Sequence, residues 1–137
     1  MTAEPSTRST PDRSEFARAR GVGVVMPADG GVGVVLPVDG DVDVATAPLL
    51  RQRLDSLLDN GRSEVVVDLS AVGFLDSSGL GALVWGLKKA KARGGWVRLV
   101  VVEPRVHRMF ELTGLDRSFQ IFDTISLAQA VGSRTGG

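Results

Sequence analysis

VVVDLSAVGFLDSSGLG, residues 65–81, changes its hydrophobic period partway along. Val65, Val66, Val67 and Leu69 form a nearly continuous apolar run, the pattern of a strand buried on both faces. Residues 70–75 read as a short connection. Asp76-Ser77-Ser78-Gly79 follows, and from Leu80 the apolar spacing becomes helical. A strand that feeds a helix through Asp, Ser and Gly sets small polar groups at a helix N-terminus. Backbone N–H groups there are unpaired and carry partial positive charge. Such a place suits an anion, or a hydroxyl that becomes one. Ser77 and Ser78 then have two compatible readings. They fill the first turn behind an Asp76 cap, small and polar as caps prefer, or they form a regulatory site.

Downstream, a helix is expected over residues 77–93. With Leu80 at zero and 100° per residue, Leu83, Val84 and Leu87 fall within about 60° of it and form the core face. The same count sets Ser78, Ala82, Trp85 and Lys89 on the opposite face, with Gly81 beside them. Trp85 is therefore expected to point away from its own core, about two turns from Ser78 on one stripe. Either another helix or the N-terminal arm covers it, or it is a partner-binding anchor, since exposed aromatics concentrate at interfaces. Gly94-Gly95 stops the helix, and residues 96–102 are a second buried strand. Strand, helix and strand of these lengths make a right-handed crossover between parallel strands. Glu103-Pro104 starts the next helix, whose Val106, Met109, Phe110 and Thr113 share a face. Gly114 fits its C-cap, with Leu115 folding back over the last turn. A short strand at 119–122, a short helix at 126–131 and a frayed end complete the chain.

Upstream, residues 1–20 are rich in Ser, Thr, Pro, Arg and acidic residues, with Phe16 the one large apolar residue besides Met1. Such a segment buries too little surface to offset its ordering entropy, so a disordered arm is expected. GVGVVMPADG at 21–30 and GVGVVLPVDG at 31–40 nearly duplicate each other. Each ends in an Asp-Gly turn signal, and a hairpin is expected between them. Pro27 and Pro37 belong at strand ends or on an edge. No Lys follows these glycines as in a phosphate-binding loop. Thr46 or Ala47 caps the next helix, with Pro48 in its first turn and Leu50, Leu54, Leu57 and Leu58 as its apolar stripe, and Asn60-Gly61 ends it. The expected organisation is an arm at 1–20, one domain at 21–132 and a frayed tail at 133–137.

The composition narrows the chemistry. Sixteen Lys and Arg balance sixteen Asp and Glu, without the basic excess of most nucleic-acid binders. There is no cysteine, so disulfides and thiolate chemistry are excluded. His107 is the single histidine, which rules out a His-based triad with a second His or a His-rich metal site. Asp43, Asp68 and Asp76 are the carboxylates that strand ends would group around a cation, but nothing in their spacing demands one. No apolar run approaches the length of a membrane span, and no stretch resembles a signal peptide. A cytoplasmic protein with no metal, no cofactor and no enzymatic activity is expected, with neither nucleic acid nor membrane as partner.

Three segments together carry a family resemblance: Gly40-Asp41-Val42-Asp43-Val44-Ala45-Thr46-Ala47-Pro48, then VVVDLSAVGFLDSSGLGAL, then Gly94-Gly95 with VVEPRVHRMFELTGLDRSFQIF. They resemble a STAS domain of the anti-sigma factor antagonist (anti-anti-sigma factor) type, over about residues 32–131. The implied fold is α/β, a single domain with a small mixed β-sheet, helices packed against it and βαβ crossovers in the C-terminal two-thirds. The resemblance implies that the serine before the glycine, Ser78, is phosphorylated by an anti-sigma factor that is a serine kinase, with Ser77 as second choice. It implies that the unphosphorylated protein binds that anti-sigma factor and releases a sigma factor, with a phosphatase as a further partner. Asp43, Asp76, Ser77, Gly79, Gly81, Ala82, Trp85 and Lys89 are the expected partner-binding residues. Two other functions stay open at this level: an unphosphorylated STAS scaffold or transport-complex subunit, and a nucleotide-binding sensor built on the glycine-rich hairpin and the Ser78 helix end.

Overall fold

The computed structural model describes residues 33–130. In it the apolar runs become four parallel strands: β1 (Val34–Val42), β2 (Glu64–Leu75), β3 (Trp96–Val100) and β4 (Gln120–Phe122), lying side by side in sequence order. Between them come α1 (Ala47–Asp59), α2 (Ser77–Ala92) and α3 (Pro104–Thr113), and α4 (Ile125–Ala130) follows β4. The expected α/β domain with βαβ crossovers is what forms. All four described strands are parallel. The expected arm, the first GVGVV unit and its hairpin turn lie outside the described residues, as does the C-terminal tail.

Alternation along the strands explains why their runs are apolar throughout. Leu36, Val65, Val67, Leu69, Val97 and Leu99 belong to the core cluster that includes α1, α2 and α3. Val35, Val66 and Val100 point to the other side, where Ala128 of α4 packs with Trp96, Phe122 and Ile125 at its margin. A parallel sheet covered on both faces has no polar face to show. Arg98 interrupts the run in β3 and is fully buried. Its Nε donates to Gln120 Oε1 at 3.1 Å, its Nη1 donates to the Ala128 carbonyl at 2.8 Å, and the Trp96 ring lies 3.7 Å from its guanidinium carbon. Burial pushes its pKa below the ordinary arginine value, and Glu64 opposes that shift.

The helix boundaries follow local chemistry. Pro48 sits in the first turn of α1, whose Leu50, Leu54 and Leu58 are almost wholly buried. Asn60 caps its C-terminus, and Gly61 takes a left-handed φ of +84°. At the end of α3, Gly114 is left-handed as expected, and Leu115 packs back against the core. Pro37 lies within β1, on the edge of the described sheet, where the register with β2 shifts between Pro37 and Asp39. A proline on an edge strand at a bulge costs no central ladder bond.

Two expectations are corrected. Residues 70–75 are not a connection: β2 continues through them to Leu75, because β1 extends alongside and pairs Asp39 with Ala71, Gly40 with Val72 and Val42 with Leu75. The core face of α2 is also not centred on Leu80. Gly79, Leu80, Ala82, Leu83, Gly86, Leu87 and Ala90 are the buried residues, so the face is centred nearer Leu83 and Ala90. Ala82 was expected on the outward stripe and is 5% exposed. The cause is α1, which packs closely on the row of small residues: a Cβ at Gly86 would stand 2.9 Å from Leu54 Cδ1.

Candidate functional site

Parallel strands all end at one pole of the sheet, where open α/β folds form their binding crevices. At this pole β1 runs into residues 43–46, β2 into Asp76 and β3 into residues 101–103. Asp76 organises the corner. Its backbone N–H donates to the Val42 carbonyl at 3.1 Å, fastening the end of β1 to the start of α2. Its Oδ1 accepts from the backbone N–H of Ser78 at 2.8 Å and of Gly79 at 3.2 Å. Asp76 is thus the N-cap of α2, and two of the free amides foreseen for an anion are already filled by its carboxylate.

Ser77 and Ser78 occupy the first turn, Ser77 exposed and Ser78 partly so. Gly79 is buried and positions the turn rather than facing outward. A Cβ there would meet Leu75 Cδ1 at 2.5 Å and Val42 Cγ1 at 2.7 Å. Ala82 is buried with it, and neither residue offers a side chain to a partner. Gly81 is exposed, with open space around it. Asp43 is at the same pole, its Oδ1 accepting from the N–H of Ala45 at 2.9 Å and of Thr46 at 3.2 Å. The Thr46 hydroxyl accepts from the Asp43 N–H at 3.0 Å and donates to the Asp41 carbonyl at 2.9 Å. Asp68 is occupied with the Ser70 N–H at 3.0 Å. Among the described residues, no three acidic or histidine side chains gather as a metal site.

Trp85 and Lys89 lie on the flank of α2 that faces α1. Trp85 is half-buried against the core, with Arg51 4.4 Å and Lys89 5.2 Å from its ring centroid. Lys89 pairs with Asp55 and, at 2.9 Å, with Asp59, and Arg93 reaches Asp59 at 3.2 Å. The hydrogen bonds that Lys89 donates to Asp55 and Asp59 hold its ammonium above its ordinary pKa. The same bond from Lys89 holds the Asp59 carboxyl below its own. Trp85 therefore packs beside α1, and the Trp85–Lys89 part of the stripe lies along the seam between α1 and α2.

Three exposed apolar side chains follow or end the strands, and the sequence reading did not single them out as surface residues. Val44 is 75% exposed, Phe74 51% and Val102 55%, one from each of the three loops or strand ends at this pole. An apolar residue left exposed beside a turn of Asp, Ser and Gly was the available signal. Such residues are common singly on protein surfaces.

A STAS-domain family model matches residues 23–128. The chain belongs to the STAS-domain family. This STAS domain is 38% identical over 73 residues to the anti-sigma-B factor antagonist of Bacillus subtilis, a match covering 53% of this chain and 66% of that protein. It therefore spans slightly less than two thirds of that relative. It is 32% identical over 82 residues to the anti-sigma F factor antagonist of Paenibacillus polymyxa, covering 59% of this chain and 70% of the relative. Its fold superposes on the crystal structure of an anti-sigma factor antagonist from Mycobacterium paratuberculosis with a TM-score of 0.68 and 33% identity, covering 80% of this chain and 92% of that one. No helix among the described residues is long and apolar enough to cross a membrane.

Proposed function

We propose that this STAS domain is an anti-sigma factor antagonist switched at Ser78. With a free Ser78 hydroxyl it binds an anti-sigma factor of the serine-kinase type in the cytoplasm, and a sigma factor is released. The bound kinase transfers the γ-phosphoryl group of ATP to Ser78 Oγ, leaving ADP, and binding ends. A phosphatase restores the hydroxyl by hydrolysis. The domain acts by binding and has no catalytic residue of its own. Ser77, the more exposed of the pair, is the second-choice acceptor.

The observation that carries this reading is the Asp76 cap beside Ser78. A phosphoserine adds about 1.5–2 negative charges. The nearest helix amides already serve the Asp76 carboxylate, so the phosphate gains little from them and stands next to a like charge. It does so on a surface that a bound partner would dry. Burying such an uncompensated charge costs several kcal/mol. A penalty of about 3–4 kcal/mol weakens binding by two to three decades. The free protein keeps the phosphate in water, so the fold survives the modification.

The test is incubation with ATP and each purified anti-sigma kinase encoded alongside it, read by mass spectrometry, with calorimetry on Ser78→Ala and Ser78→Asp. Ser78→Ala is expected to bind and to resist phosphorylation. Ser78→Asp is expected to fold and to bind at least tenfold more weakly. Full phosphorylation of Ser78→Ala, or unchanged affinity of Ser78→Asp, sinks the switch.

A further inference from the structure

β2 is longer than its neighbour β3, and the difference leaves a sheet edge open beside the switch. The pairing of β2 with β3 runs from Glu64 with Trp96 to Asp68 with Val100 and stops there. β2 itself continues to Leu75, paired through this stretch with β1 alone among the described strands. Beyond Val100 the chain turns into α3 instead of following β2. Residues 69–75 therefore present one row of backbone N–H and C=O groups with no strand beside it among the described residues, roughly 20 Å of extended chain. A groove of about 280 Å³ lies along this row, between residues 70–73 and residues 102–104.

Natural sheets blunt such edges with Pro, charge, bulges or covering segments. This edge carries Ser70, Ala71 and Gly73, small and uncharged. A Cβ added at Gly73 would meet nothing within 4 Å, so a second backbone has room to approach. Val102, 55% exposed, lines the groove on the side opposite β2. Glu103 is its one charged lining residue. Three features thus coincide: an edge with no described strand beside it, small edge side chains and an exposed apolar residue, Val102, across the groove.

We propose that this groove takes an extended, uncharged or basic segment of the anti-sigma factor, which adds to the sheet as a strand alongside residues 69–75. This rests on the partner assigned above and says how that partner is held. Unpaired main-chain groups are met in full only by another extended chain, and alternate side-chain contacts then supply selectivity. A basic residue in the segment pairs with Glu103. Continuity with the switch favours the anti-sigma factor over a second copy of this chain: the edge ends at Leu75, next to the Asp76 cap and three residues from Ser78. A phosphate on Ser78 then stands at the end of the added strand.

The experiment is residue-resolved amide hydrogen exchange on the wild-type protein, free and in complex with the purified anti-sigma kinase, with affinities of Gly73→Leu and Ser78→Asp measured in parallel. Alternate amides within 69–75 are expected to slow at least tenfold in the complex. Gly73→Leu, which fills the groove from a position with open space, is expected to weaken binding at least tenfold with unchanged thermal stability. A tight, Ser78→Asp-sensitive complex with no protection at 69–75, or with full affinity in Gly73→Leu, overturns the strand addition while leaving the proposed function intact. Protection that grows with the protein's own concentration makes a second copy the occupant and overturns it too. No complex of the wild type with any anti-sigma factor overturns both.

Discussion

Two glycines in the first turns of α2, two residues apart, are expected to respond to the same substitution with opposite signs. At Gly81 the side of the helix is open, and an added Cβ meets nothing within 4 Å. Gly81→Ala then gains the intrinsic preference for alanine in a helix, about 0.5–1 kcal/mol, partly through a less disordered unfolded chain. At Gly79 the same methyl would stand 2.5 Å from Leu75 Cδ1, 2.7 Å from Val42 Cγ1 and 3.3 Å from Val42 Cβ. The Leu75 tip can rotate, but Val42 is stiff at χ1 and both residues are 2% exposed, with no free volume to enter. Overpacking of this kind costs about 1–3 kcal/mol, and such confinement argues for the upper end. After the helix gain is subtracted, Gly79→Ala is expected to lose about 1–2 kcal/mol, a gap of about 2–3 kcal/mol between the variants. Urea unfolding at 25 °C measures both, with equal m values as the check that only native stability changed. Gly79→Ala as stable as wild type would refute the close approach of α2 to the end of β1. It would also remove the argument that Gly79 sets the position of the switch serine.

Two further predictions concern the seam between α1 and α2. Trp85→Ala is expected to cost about 2 kcal/mol, from half-burial plus about 0.5–1 kcal/mol for the cations over its ring; a loss under about 0.5 kcal/mol in urea unfolding would return Trp85 to an outward face. Lys89→Met should flatten the acid limb of the stability profile. The Asp59 pKa is lowered in the folded state, chiefly by its hydrogen bond from Lys89, so its contribution is present above the ordinary carboxylate pKa. It is lost as pH falls through the lowered value. The Lys89 pKa is raised by Asp55 and Asp59, so its share is present below the ordinary lysine pKa and lost as pH rises through the raised one. Thermal unfolding from about pH 2 to 7 at low and high salt reads this; identical acid limbs for wild type and Lys89→Met contradict it.

The elements that local chemistry dictates were legible in the sequence. The α1 leucine stripe, the Asp76 cap, Gly114 at its left-handed position and the β2–α2–β3 crossover follow from spacing and capping over a few residues. What escaped reading depends on distant partners. Residues 70–75 are a strand because β1 lies beside them, and nothing in SAVGFL announces that. The α2 core face was misplaced because close contact there is made by small residues that carry little hydrophobic weight, Gly79 against the ends of β1 and β2 and Gly86 against α1. Arg98 hid within an apolar run, since its acceptors come from β4 and α4. At the candidate site the serines and their cap were readable. The expected contact set was partly displaced inward, since Gly79 and Ala82 are buried.

The all-parallel register has a bearing on how the chain acquires its shape. Val34 pairs with Val65, Val65 with Val97, and Arg98 with Gln120, so each described strand meets its neighbour only after a whole helix has intervened. No hairpin among these strands offers an early, inexpensive nucleus, and loop-closure entropy must be overcome before any sheet contact rewards it. Arg98 adds a late condition, because its Ala128 acceptor is supplied by the last described helix. The contact from Arg98 to α4 forms only after β3, β4 and α4 have come together, so this part of the sheet closes late in folding.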